Sequence, residues 1–352
     1  MRIFAMTLVM AIPAAAQWMN QPTPGIPRTA DGKPNLAAPA PKLADGRPDL
    51  SGLWRLGVEI GIAANITADL PANEIQPWAR DISRKRLEEF GKDDPEITGC
   101  LPGGPRHITH GGLSKILHTP NLLVILYEDL SYRQIFIDGR ALPQEPNPSW
   151  MGYSAGRWEG DTLVVETAGF NDRTWLDFAG HPHTEDLRMT ERYRRTNFGR
   201  LDLQVTMIDP KAYAKPWTVS AGGPLAADTD LIEFVCAENE KDRVHLVGRT
   251  TEEKTVVVAP EILAKYVGVY DVSSAGAALL AGPRNVFTVT LENGGLLLDM
   301  GGKGRIPMIP LSETTFSPRL LGTYQFVKNA QGVVTHMLVH SAEEVLEARR
   351  RP

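Results

Sequence analysis

From about Lys115 the chain alternates apolar and polar residues in short runs. These are LLVILYED (122–129), YRQIFID (132–138), TLVVET (162–167), LRMTERYRR (187–195), LDLQVTMID (201–209) and LIEFVC (231–236). A period of two puts successive side chains on opposite faces, so each run predicts a strand with one buried face. Asp-Gly, Gly-Asp, Asn-Phe-Gly and Asp-Pro sequences separate the runs, and consecutive strands joined by short turns form an antiparallel meander. So long a meander exposes two edges unless it curls, which predicts a mainly β domain closing into a barrel or sandwich over residues 55–257.

One helical pattern precedes the strands, from about 73 to 90. Ile75, Trp78, Ile82, Leu87 and Phe90 fall on one side, and the charges of RDISRKRLEE cover most of the rest. Asn73 reads as the N-cap, Pro77 falls near the first turn and Gly91 reads as the stop. Near Pro260 the register restarts with EILAKYVGVYDV, FTVTLENGGLLLD, RIPMIPLSETTF and GTYQFVKNAQGVVTHMLVH. Asn-Gly-Gly and Asn-Ala-Gln-Gly are hairpin signals between alternating segments, so 258–352 reads as a second, smaller β-domain.

The N-terminal end changes the cellular setting. MRIFAMTLVMAIPAAAQ places Arg2 before an uncharged apolar run and three alanines, the order of a signal peptide over 1–16 with cleavage near Ala16. The run is shorter than the ~20 residues of a membrane-spanning helix, and no later segment is longer and equally apolar, so a periplasmic or secreted protein without a membrane span is expected. Residues 17–54 form a Pro/Ala-rich arm. It carries ADGKPNL (30–36) and ADGRPDL (44–50), each reading as a tight turn entering extended chain, and it ends at Leu53 and Trp54. With a net charge of -5 and no long basic run, nothing attracts nucleic acid; a small-molecule ligand or substrate is the expected partner. The two cysteines, Cys100 and Cys236, read as one disulfide in an oxidising compartment, the alternative being two buried thiols that never meet.

Over 143–216 the chain has PSWMGYSAGRWEGDTLVVETAGFND, LDFAGHPH, ERYRR and DPKAYAKPW, and in these it resembles a group of exported, uncharacterised bacterial β-rich proteins; with the arm and FVCAENEKD the likeness extends over most of 27–245. It implies export and a β fold, and no activity. GRWEGDTLVVET with ERYRR and LDLQVT also looks like the meander of lipocalin-like and fatty-acid-binding-like barrels. The tail, LAKYVGVY through TYQFVKNAQGVVTHMLV, is similar to a small β-domain found after β-lactamase-like serine hydrolases. Their Ser-x-x-Lys pair occurs nowhere in this chain, so their chemistry does not transfer.

Gly152-Tyr153-Ser154-Ala155-Gly156 matches the G-x-S-x-G nucleophile elbow in letters. An elbow needs a strand before the serine and a helix after it, whereas EPNPSW precedes and a turn and strand follow; the alternative is a glycine-flanked bend in a sheet. The stronger constellation is WLDFAGHPHTE (175–185). His181 and His183 at i and i+2 on extended chain share a side, with Asp177 or Glu185 as a third group. That pattern suits a divalent metal, metal-free acid/base or ligand-contact chemistry, or a solvated loop. A cupin glutamate is missing, since Leu187 and Arg188 stand where it belongs.

His107 and His110 lie in a glycine-rich loop that suits binding or a tight connection, and Arg106 beside them suits an anionic group or a carboxylate partner. Glu191 shares a strand face with Tyr193 and Arg195, while Arg192 and Arg194 face the other way. Glu191 and Arg195 therefore form a buried polar pair or part of a solvated face. Trp158 and Trp175, with Trp150, Tyr213 and Trp217, line a pocket or fill the core. Two functions follow. One is an exported hydrolase or lyase acting on a small organic or carbohydrate-like molecule, with His181, His183, Asp177, Glu185 and Glu191 as acid/base groups and Arg106, His107, His110, Trp158, Trp175 and Arg192 as contacts. The other is a non-catalytic, lipocalin-like binder of an apolar ligand.

Overall fold

The computed structural model describes residues 22–89, 91–236, 238, 255–272, 286–300, 305–318, 322–340 and 345–351. The expected signal peptide and Phe90 lie outside the described residues. The protein is mainly β, in two sheets.

The first sheet contains β1 (Gly52–Leu56), β2 (Gly112–His118), β3 (Leu122–Tyr127), β4 (Tyr132–Phe136), β5 (Tyr153–Glu159), β6 (Thr162–Ala168), β7 (Arg188–Asn197), β8 (Arg200–Ile208), β9 (Trp217–Ser220) and β10 (Gly223–Pro224). Neighbours in sequence pair antiparallel, except that β4 and β5 run parallel and that β9 and β10 both pair with β8. The sheet curls until its ends meet, through a bridge between Trp54 and Leu225 and backbone bonds from Ala226 to Leu53 and Gly57 to Ala221. That seam is tight. A Cβ on Gly223 would lie 1.7 Å from the Arg55 carbonyl oxygen. Trp54, Ile116, Leu123, Ile125, Ile135, Leu163, Val165, Met189, Leu203 and Val205 fill the interior.

The segment LIEFVC, expected as a strand, is irregular in the structure. It is pinned by the Cys100–Cys236 disulfide and by the Phe234 N–H on the Glu128 carbonyl, rather than by a ladder. The arm lies on the sheet as expected chain segments do when they lack a core of their own. Its two repeats fold alike, with bridges Arg28–Pro34 and Lys42–Pro48, and Gly32 and Gly46 adopt φ +80° and +86° as their turns require. The Leu36 and Ala38 carbonyls accept from the Gly199 and Phe198 N–H groups at the β7–β8 turn.

Among the described residues four short α-helices accompany the sheets: α1 (Ile60–Ala64), α2 (Pro77–Glu88), α3 (Pro105–His110) and α4 (Pro260–Leu263). Helix α2 begins later than the expected 73, with Pro77 at its first position and Ala72–Glu74 forming a separate 3-10 turn. Its buried face also differs from the expected stripe: Ala79 and Ser83 are buried, while Trp78 and Ile82 are 40 % and 37 % exposed. Close approach explains this. The Ser83 hydroxyl donates to the Ala179 carbonyl at 3.2 Å, and a Cβ on Gly180 would meet Arg86 at 2.8 Å, so only small residues fit at the contact.

The second sheet is a closed antiparallel barrel of β11 (Gly268–Val272), β12 (Val286–Glu292), β13 (Gly295–Asp299), β14 (Arg305–Pro310), β15 (Thr315–Ser317), β16 (Thr323–Lys328), β17 (Val334–His340) and β18 (Val345–Arg350). The β12–β13 turn uses Asn293 and Gly294 at φ +50° and +81°, the conformation that Asn-Gly hairpins favour. Tyr266, Tyr270, Phe287, Phe316, Tyr324 and Phe326 fill its core, and Ala64 of α1 packs against the same cluster.

Candidate functional site

Helix α3 brings together one cluster of chemical groups. Gly104 precedes it at φ +61°, where a Cβ would lie 2.9 Å from the Trp150 carbonyl oxygen, and Pro105 opens the helix. Arg106 and His110, four residues apart, turn inward. Arg106, 2 % exposed, donates from Nη1 and Nη2 to Asp94 at 2.9 and 2.7 Å and from Nε to Glu96 at 2.5 Å. Burial disfavours its charge, but the hydrogen bonds and charges of Asp94 and Glu96 outweigh this and hold it protonated. It therefore serves a structural ion cluster and has no fork left for a ligand anion. His110 donates from Nε2 to the Ala63 carbonyl at 2.8 Å, lies 2.8 Å from the Thr109 hydroxyl through Nδ1, and packs edge-on to Phe178. Burial pushes its pKa down to about 4.

His107 turns the other way. It lines a cleft of about 630 Å³ together with Glu96, Cys100, Leu101, Tyr127, Glu128, Asp129, Leu130, Phe234 and Cys236. Its ring stacks on Tyr127 at 5.0 Å, and Nε2 lies 3.6 Å from both Glu96 Oε1 and Asp129 Oδ2. Those separations are too long for hydrogen bonds. Nδ1 is buried without a hydrogen-bond partner among the described residues. A bare nitrogen bears that isolation at less cost than an N–H does, so we assign the proton of the neutral ring to Nε2, facing the carboxylates. The carboxylates differ: Glu96 is bound to Arg106, whereas among the described residues Asp129 accepts only from Ser131, through its N–H at 3.1 Å and its hydroxyl at 2.6 Å.

The WLDFAGHPHTE segment forms a closed clasp. Asp177 accepts from the Ile66 N–H at 2.8 Å, the His181 N–H at 3.0 Å and His181 Nδ1 at 2.6 Å, and His181 Nε2 lies 3.0 Å from the Thr67 hydroxyl. Burial raises the pKa of Asp177, but the His181 charge and these donors prevail and lower it. Carboxylate, imidazole and hydroxyl stand in the order of a nucleophile relay, yet Asp177, His181 and Thr67 are all buried, and the Thr67 hydroxyl is also 3.0 Å from Asn65 Oδ1. His183 is engaged separately, by Thr174 Oγ1 at 2.7 Å and the Thr184 carbonyl at 3.2 Å, and burial lowers its pKa. The two imidazoles thus share no partner. Among the described residues no group of three or more His, Cys, Asp or Glu side chains is arranged to hold a metal ion. Glu185 is exposed, beside a different cleft with Asp186 and Arg188.

Glu191 is wholly buried, and its partner is Arg133 rather than the Arg195 expected from their shared strand face. Arg133 Nη1 and Nη2 each donate to Glu191 at 2.6 Å, and Nη2 also donates to Ser154 Oγ at 2.9 Å and Thr167 Oγ1 at 2.6 Å. Tyr193 adds its hydroxyl to Glu191 at 2.7 Å. Arg195 is buried elsewhere, donating to the Asp49, Ser51 and Phe198 carbonyls. Ser154 lies inside the sheet on β5, so the elbow motif is a packing feature: a Cβ on Gly156 would meet Ile137 at 2.9 Å. Trp158 stacks on His118, Trp175 lies under Arg86 at 4.5 Å, and exposed Arg192 pairs with Glu159 at 3.1 Å, so these three contacts are dispersed.

Sequence reasoning named His107 and missed Glu96, Glu128 and Asp129. The signal present in the sequence was the ED at the end of LLVILYED, which closes a strand and places two carboxylates at a turn. No protein-family model and no curated protein sequence matches the chain.

Proposed function

We propose that the protein is an exported enzyme of hydrolase or lyase type that acts on a small organic molecule in the cleft beside the Cys100–Cys236 disulfide. The observation that carries this is His107 Nε2 at 3.6 Å from two carboxylate oxygens on the wall of a cleft of about 630 Å³. Asp129, which among the described residues pairs with no Lys or Arg side chain, is the base that takes a proton from water or from the substrate. His107 donates its Nε2–H to the oxygen that gains negative charge, and Glu96, anchored by Arg106, orients the ring. The disulfide supports a compartment outside the cytoplasm, and among the described residues no helix is long and apolar enough to cross a membrane.

A binding role has one observation in its favour, the exposed apolar wall of Leu101, Leu130, Phe234 and Val235. The first sheet's own side chains fill its interior, so this reading too belongs in the cleft. Turnover of ester, amide, glycoside and β-eliminable substrates by the mature protein separates the two. An enzyme loses at least a hundredfold in kcat with His107→Gln or Asp129→Asn while ligand affinity stays within a few-fold. Turnover indifferent to both variants refutes the assignment, and binding without turnover favours the binder.

A further inference from the structure

We infer that the cleft selects an organic cation, an ammonium group carried on an apolar body, and that Glu128 is the residue that recognises the charge. This rests on the cleft being the functional site. Among the described residues three carboxylates line it, Glu96, Glu128 and Asp129, and His107 is the one basic side chain on its wall. Glu96 is tied to Arg106, and Asp129 holds Ser131. Glu128 has no hydrogen bond or ion pair through its side chain among the described residues, although it is only partly exposed. Its backbone is fixed, because its carbonyl accepts the Phe234 N–H at 2.5 Å.

That bond brings the unpaired carboxylate next to the apolar side of the cleft. Leu130 and Phe234 are 64 % and 61 % exposed there, with Leu101 and Val235 beside them. A partly dehydrated carboxylate without a counter-ion is stabilised most by a cation, and an apolar surface around it rewards a ligand that also removes that surface from water. An anionic ligand meets three carboxylates and, among the described residues, no free guanidinium or ammonium. A neutral ligand leaves Glu128 unpaired and loses its solvation without return. Phe234 also adds an exposed aromatic ring to that wall, the group type that attracts a cation over its face.

The test uses the mature, disulfide-bonded chain and three probes of one shape: 2-phenylethylammonium, 2-phenylethanol and 3-phenylpropionate. Affinity is measured by calorimetry at pH 7, and contact with the cleft by NMR shifts of the His107 and Phe234 rings. The ammonium probe should bind about tenfold more tightly than the alcohol, and the carboxylate more weakly than either. Glu128→Gln should abolish the preference for the ammonium and leave the alcohol unchanged, while Phe234→Ala weakens both. If alcohol and carboxylate bind in the cleft as well as the ammonium does, or if Glu128→Gln leaves its preference intact, cation selection is wrong and the cleft remains the functional site. If none of the three moves the His107 or Phe234 signals at millimolar concentration, the cleft is not a small-molecule site and both readings fall.

Discussion

Replacing Glu191 by alanine should leave a guanidinium without a counter-ion inside the first sheet. Glu191 accepts four hydrogen bonds there, two from Arg133 at 2.6 Å, one from Tyr193 at 2.7 Å and one from Thr167 at 3.2 Å, and no part of it is exposed. Breaking one side of a buried ion pair costs about 3–5 kcal/mol, and stranding the Tyr193 hydroxyl adds about 1 kcal/mol. A domain stable by about 5–15 kcal/mol comes close to unfolding under that load. The double variant Arg133→Met/Glu191→Leu removes both charges and leaves Ser154 and Thr167 bonded to each other at 3.0 Å. It should therefore be at least about 2 kcal/mol more stable than Glu191→Ala. Urea unfolding followed by tryptophan fluorescence is the assay, because all seven tryptophans precede residue 218 and none lies in the second barrel. A cost under about 1 kcal/mol for Glu191→Ala, or a double variant whose cost equals the sum of the singles, would refute the assignment of Arg133 and Glu191 as a coupled core pair.

Other consequences are as direct. Gly223→Ala forces a methyl group into the Arg55 carbonyl oxygen, so it should part the sheet seam and lower the urea midpoint of the same fluorescence transition by more than a conservative surface change does. Replacing both Cys100 and Cys236 by alanine opens a loop spanning 136 residues, and the chain-entropy argument puts the loss at about 5 kcal/mol, read from denaturant unfolding with and without the bridge. His110 is held neutral with its pKa near 4, so the stability it supplies is full above the unfolded value near 6.5 and declines as pH falls toward 4. Because the ring keeps some contact with solvent, the loss should be about 2 kcal/mol, and His110→Gln should flatten stability between pH 7 and 4.5. Asp177 acts in the same direction at lower pH, since its lowered pKa gives stability that is lost as acid protonates it.

Much of the fold was legible because alternation reports burial directly. LLVILYED, TLVVET and LDLQVTMID became β3, β6 and β8, and both hairpin signals after residue 258 became turns of a closed barrel. LIEFVC alternates equally well, yet the disulfide and a single bond to Glu128 hold it as irregular chain; local pattern carries no record of which edge a segment will meet. Helix α2 failed in its face for a similar reason. Its partner is the backbone around Ala179 and Gly180, which admits Ala79 and Ser83 and excludes the larger Trp78 and Ile82. The pairing of Glu191 with Arg133 was hidden because it joins strands 58 residues apart, while Arg195 lay on the same strand face in plain view.

The histidines show why a conspicuous motif and an open site need not coincide. The i, i+2 rule holds for extended chain, and the GHPH segment is not extended throughout: Gly180 takes φ +82°, and a bridge joins Trp175 to Pro182. The loop folds back on Asp177, and in this buried setting His181 and His183 take separate partners, Asp177 and Thr67 for one and Thr174 and Thr184 for the other. A helix distributes groups differently. On α3, Arg106 and His110 share the inward face at i and i+4, and the residue between them in charge and chemistry, His107, is rotated by about 100° toward solvent. That rotation puts His107 on the wall of the cleft beside Glu96 and Asp129, which neither histidine of the clasp lines. A substitution separates the two roles: His181→Ala should cost stability by removing a buried partner of Asp177, whereas His107→Gln should leave the unfolding midpoint nearly unchanged and alter only what the cleft binds or turns over.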